Sequence, residues 1–160
     1  MGRDRIIGVV AAIAIAMIGA GCGATGPARG PDGEVLDAGE VAVGELRAGD
    51  CFEDPSASTA SVSRLRVLPC DEPHDSEIYF VYDVSGDEYP GAPALDEESD
   101  RRCAVEFESF VGTPRAESEL EFFALIPTRE SWEADDRTVL CALFARDLQP
   151  LTGSMGGSGR

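Results

Sequence analysis

A chain of 160 residues, 43% of them hydrophobic, has room for one modest core once any targeting segment is set aside. Its formal net charge of −17 comes from 30 Asp and Glu set against 13 basic residues, every one of them arginine. So acidic a chain repels phosphate backbones and anionic headgroups, which argues against nucleic-acid binding and leaves solubility, basic partners or divalent cations as the roles of the charge.

Arg3 and Arg5 form a charged start, Ile6 to Ile18 an almost unbroken apolar run, and Gly19, Ala20 and Gly21 a run of small residues before Cys22. This is the architecture of a signal peptide over residues 1–21, too short to cross a bilayer as a stable helix of about 20 apolar residues. Small residues ending at a cysteine resemble a bacterial lipobox, which implies cleavage before Cys22 and attachment of diacylglycerol and palmitate there. Gly19 stands where that pattern prefers a large apolar residue. An uncleaved signal anchor is the competing reading, and either outcome holds the chain at the extracytoplasmic face of the cell membrane. Residues 22–40 are rich in Gly, Pro and Ala without apolar periodicity, so a lipid-anchored flexible linker is expected there.

The domain is expected over 41–151. A Gly-Asp turn precedes Cys51, Pro55–Ser61 reads as a loop, and Val62–Leu68 as the first clear strand. In Ser76–Val84, Ile78, Phe80 and Tyr82 alternate with Tyr79, Val81 and Asp83, a strand with one buried face. Asp83–Asp100 carries no basic residue and is broken by Gly86, Pro90, Gly91 and Pro93, so a surface loop is expected, regular structure resuming near Ala94. Leu95, Cys103, Phe107, Phe110 and Val111 then fall on one helical stripe that Gly112 and Pro114 terminate.

Leu120, Phe122, Ala124 and Ile126 form one face of a further strand, and Thr128 is placed to cap a short helical turn over Arg129–Ala134. Thr138–Arg146 is apolar on both faces, as an internal strand of an antiparallel sheet must be. Together these elements make a small α+β domain, an antiparallel sheet with one main helix packed on one face. The Gly- and Ser-rich residues 152–160 are expected to form a flexible tail.

With Cys22 assigned to lipid, Cys51, Cys70, Cys103 and Cys141 remain, an even number in an exported chain. Four cysteines permit three connectivities. Cys51–Cys70 with Cys103–Cys141 is preferred because each pair then joins neighbouring elements. A zinc site is the competitor, but there is no C-x-x-C pair and His74 is the sole histidine, so no metal and no cofactor is expected.

Gly49-Asp50-Cys51-Phe52, Pro69-Cys70 through Pro73-His74 to Glu77, Tyr89-Pro90-Gly91, Cys103, Ser131-Trp132-Glu133 and Asp136-Arg137 through Cys141 occur in a telling order. As a set they resemble the septum formation family of actinobacterial membrane and secreted proteins, over about Leu46 to Gly153. The resemblance implies a role tied to the envelope or the division septum, with a protein partner there, and supplies no catalytic residues. The family usually shows Gly-Asp-Arg where this chain has Asp135-Asp136-Arg137, which implies a different turn.

His74, flanked by Asp71, Glu72, Asp75 and Glu77, has two readings. It is a general base of a metal-assisted or His-based hydrolase acting on envelope material, or it bonds a backbone carbonyl at the start of the Ser76 strand. The first lacks a nucleophile, since Ser76 and Ser131 sit in no nucleophile-elbow sequence. A calcium-stabilised domain is a third class, though the acidic stretch matches no calcium loop. The leading expectation is a non-catalytic interaction module in which His74, Asp75, Trp132, Asp136 and Arg137 converge at one sheet end as an aromatic patch with a charged rim.

Overall fold

The computed structural model describes residues 26–54 and 62–160, so the signal peptide and linker start expected over residues 1–25, Cys22 among them, and the loop expected over 55–61 lie outside the described residues. Six strands, β1 (Gly39–Ala42), β2 (Cys51–Glu53), β3 (Arg64–Leu68), β4 (Ser76–Asp83), β5 (Leu120–Leu125) and β6 (Thr138–Ala145), form one sheet in the order β1-β3-β2-β4-β6-β5. Every neighbouring pair is antiparallel. The doubly apolar strand is β6, which lies inside the sheet between β4 and β5 as its pattern demands.

Helix α1 (Ala92–Val111) crosses one face and buries Leu95, Cys103, Phe107 and Val111, the expected stripe. It is tied to β6 by Cys103–Cys141, and Cys51–Cys70 joins β2 to the end of β3, so both bridges are the preferred ones. Gly112, at a φ of 88°, closes the helix in the left-handed conformation that favours glycine. The phenol of Tyr79 donates 2.9 Å to the Cys103 carbonyl, and burial pushes its pKa far above the ordinary tyrosine value. Helix α2 (Arg129–Glu133) carries the expected Thr128 cap in reciprocal form, with Ser131 bonding back to the Thr128 N–H.

Four expectations are corrected. The helix expected from near Ala94 begins at Ala92, because Pro93 occupies the first helical turn, where its missing N–H costs nothing. In β4, a register shift between Ile78 and Phe80 breaks the alternation. The bulge turns Tyr79, Phe80 and Tyr82 to the helix face and leaves Ile78 and Val81 on the other.

The residues before β1 do not behave as a spacer over their whole length. Arg29 bridges Val35, Val35 is buried, and the Arg29 guanidinium grips the buried Asp50 carboxylate through two bonds of 2.6 and 2.9 Å. Donating to Asp50 raises the Arg29 pKa above its ordinary value. The second sheet face is itself apolar, with Phe52, Val67, Ile78, Leu140 and Ala142, and Val35, Val41, Val43 and Leu46 pack into the same cluster.

Nor is 152–160 a free tail. The Glu77 carboxylate is buried, and it is satisfied by the Ser154 hydroxyl at 2.6 Å and the Met155 N–H at 2.7 Å. Met155 is buried against α1, and the Gly157 and Gly159 amides donate to the Phe110 and Val111 carbonyls at the C-terminal end of that helix. A buried carboxylate without donors is costly, so the tail docks despite its loop-like composition.

Candidate interaction groove

The five residues expected to converge do not. His74 and Asp75 precede β4 at its Ser76 end, whereas Trp132, Asp136 and Arg137 precede β6 at its Thr138 end, and the register pairs Ser76 with Phe144 and Asp83 with Thr138. In an antiparallel pair the two lead-in segments lie at opposite ends, here about 23 Å apart along eight residues of strand.

At the first end His74 is 1% exposed. Its Nδ1 lies 2.8 Å from the Glu72 carbonyl, so Nδ1 carries the proton, and Nε2 is left facing the interior without a partner. Its backbone pairs with Leu151, donating at 3.0 Å and accepting at 2.7 Å. At the other end Trp132 is 3% exposed and donates through Nε1 to the Asp87 carbonyl at 3.1 Å. Tyr89 packs edge-on against its ring, and the Arg137 guanidinium lies 3.9 Å over it while donating to the Trp132 carbonyl at 2.7 Å. The Asp136 carboxylate accepts from the Thr138 N–H. These residues clasp the 84–91 loop to the sheet and leave no open aromatic platform.

Asp135 explains the departure from Gly-Asp-Arg. Its φ is 70°, the left-handed region that favours glycine and that Asp tolerates. Asp135 thus takes a conformation that a glycine would adopt without strain.

The opening in the surface lies at the His74 end, on the second face. A cleft of about 460 Å³ opens there, and its floor and walls include Phe123, Phe144 and Leu148. The Phe123 and Phe144 rings are 5.9 Å apart. Asp54 and Asp75 line the cleft with Gln149, and no basic side chain does so among the described residues. Asp75 accepts from the Asp54 N–H at 2.9 Å, and its own N–H donates to the Phe52 carbonyl, which holds the Asp75 carboxylate and the Asp54 backbone on the rim. Nearby Glu121 adds little free charge. Burial alone would raise its pKa, but hydrogen bonding to Arg115 and the Phe122 N–H, together with the Arg115 and Arg146 charges, holds it below the ordinary value.

The lip of the cleft is unusual. Leu148 is 76% exposed and has a φ of 58°, a conformation that a bulky apolar residue rarely adopts. The turn that holds it is pinned by Leu148 N–H to the Ala145 carbonyl at 2.9 Å, Gln149 N–H to the Asp147 carboxylate at 3.1 Å, and the His74–Leu151 pairing beyond. His74 thus shapes the groove through its backbone. Of the five expected residues only Asp75 lines the cleft. Asp54, Phe123, Phe144 and Leu148 were missed; the one signal was Phe144, an aromatic on the second face of a strand apolar on both.

Among the described residues Cys51, Cys70 and Glu77 lie close enough to suggest a metal cluster. Both sulfurs are joined in the disulfide and Glu77 already has its two donors, so these atoms do not fit an ion.

Fold and site together define a disulfide-stapled α+β domain with an acidic-rimmed apolar groove. The septum formation family matches residues 48–157, more than half of the chain and every groove residue, and the protein belongs to that family. No curated protein and no solved structure matches it.

Proposed function

We propose that the protein is a non-catalytic interaction module, tethered through a lipid on Cys22 to the extracytoplasmic face of the cell membrane, which engages a partner in envelope or septum assembly. The carrying observation is the groove, where two aromatic rings and a strained, exposed Leu148 stand beside two carboxylates without an ion-pair partner among the described residues. Backbone strain of this kind concentrates at functional positions, and exposed apolar surface rimmed by polar groups marks interaction sites. The burial of His74 supports a non-catalytic reading, since its ring touches no surface from which a substrate could approach. Family membership supports the septal or envelope setting.

The test is complementation of a deletion strain, scored by septum placement under the microscope. The parent chain should restore septation, whereas Cys22→Ser should remain an unprocessed precursor or leave the membrane fraction. Leu148→Asp should keep the melting temperature of the parent and fail to restore septation. Full restoration by Leu148→Asp, or wild-type septa in the deletion strain, contradicts the proposal.

A further inference from the structure

The groove has two chemically different ends. Phe123 and Phe144 on β5 and β6 form the apolar end; Asp75 and Asp54, which precede β4 and follow β2, form the acidic one. Neighbouring strands are about 4.8 Å apart, so two strand spacings separate β5 from β4, and Phe123 lies a further two residues along its strand from the row of Phe144 and Ser76. The centres of the two ends are therefore about 12 Å apart, a span of three to four residues of extended chain. Glu121, matched by Arg115 and Arg146, does not blur this division.

Resting on the interaction-module reading above, we infer that the groove takes a short segment of a partner protein lying across the strands in the polyproline II conformation, whose three-residue turn puts side chains i and i+3 on one side about 9 Å apart: an apolar side chain on Phe123 and Phe144, and an arginine or lysine three residues away reaching Asp54 and Asp75. Charge complementarity selects this occupant: among the described residues no cation lines the groove beside the two carboxylates, and the chain as a whole carries −17. An acidic or uncharged apolar segment would fill the aromatic end and leave the carboxylates unmatched. Leu148 closes over the apolar side chain from the lip, which gives its left-handed backbone a purpose.

The probes are three capped tetrapeptides: acetyl-Leu-Ser-Ser-Arg-amide, the same peptide with Glu in place of Arg, and the isomer acetyl-Leu-Arg-Ser-Ser-amide. Each is titrated into the ¹⁵N-labelled full chain held in a lipid nanodisc while amide resonances are followed. The first peptide should shift the Phe123, Phe144, Leu148 and Asp75 amides together. It should bind at least about fivefold tighter than the other two, the factor expected of one well-placed charge contact at a surface. The doubly substituted Asp54→Asn, Asp75→Asn chain should lose this preference while keeping the Phe144 and Leu148 shifts. Equal binding of all three peptides at the groove overturns the inferred cation and its spacing but leaves the groove as an interaction site. Shifts confined to surfaces outside the groove, or none, overturn the inference, and the complementation by Leu148→Asp then decides separately whether the groove has any role.

Discussion

Both faces of the sheet are apolar, and they are closed in different ways. One is covered over β4, β5 and β6 by the 20-residue helix α1, locked by Cys103–Cys141 and sealed at the far end by residues 153–160 on Glu77. The other packs Val35, Val41 and Leu46 against Phe52, Ile78 and Leu140, with the Arg29–Asp50 ion pair at its margin, and leaves Phe123 and Phe144 lining an open cleft. A face closed by a helix and a covalent bond serves stability; a face closed in part leaves its remainder for another molecule.

Substitutions on the helix face should cost most. Phe107 is fully buried against Tyr79 and Phe122, and Phe107→Ala should destabilise the whole domain by about 3–5 kcal/mol in denaturant melts. Deleting residues 153–160 strips both donors from the buried Glu77 carboxylate and should cost about 3 kcal/mol. Additional Glu77→Gln in the truncated chain should recover part of that loss, because a neutral amide is less costly to bury.

On the second face, Arg29→Ala leaves Asp50 buried with only the Arg47 N–H. The loss should be about 2 kcal/mol, below the usual cost of breaking a buried pair because Arg29 is partly exposed. Hydrogen exchange should accelerate at residues 28–46 and not in α1. Exchange rising equally on both faces would show that the two covers form one cooperative unit. The smallest effect is a gain: Asp135→Gly relieves the left-handed backbone and should stabilise by about 0.5 kcal/mol, net of the extra freedom glycine brings to the unfolded chain.

Periodicity and punctuation made much of this legible beforehand. The helical stripe ending at Gly112, the Thr128 cap and the doubly apolar β6 are local patterns, and the cysteines could be paired because those elements were already placed. What escaped was non-local. Nothing in Ser76–Val84 announces an extra residue in the ladder, so the bulge at Tyr79 was invisible. The Gly-rich segments on either side of the domain look like linker by composition; they are ordered by Asp50 and Glu77, whose burial only the assembled sheet reveals. The convergence of Trp132 with His74 failed because two neighbouring strands were placed without following the direction of each lead-in. The groove combines residues from four chain regions around a left-handed Leu148, and no spacing rule joins them.

The most direct test uses the two exposed apolar residues that the comparison sets apart, Leu148 on the groove lip and Val105, 67% exposed on the outer side of α1. A photo-crosslinking amino acid is placed at either position in the full chain, in living cells, and irradiated with and without excess acetyl-Leu-Ser-Ser-Arg-amide. A discrete adduct from position 148 that the peptide suppresses, with none from position 105, is the expected result. Adducts of equal yield from both positions, or an adduct at 148 indifferent to the peptide, would contradict the claim that the partly covered face is the working surface.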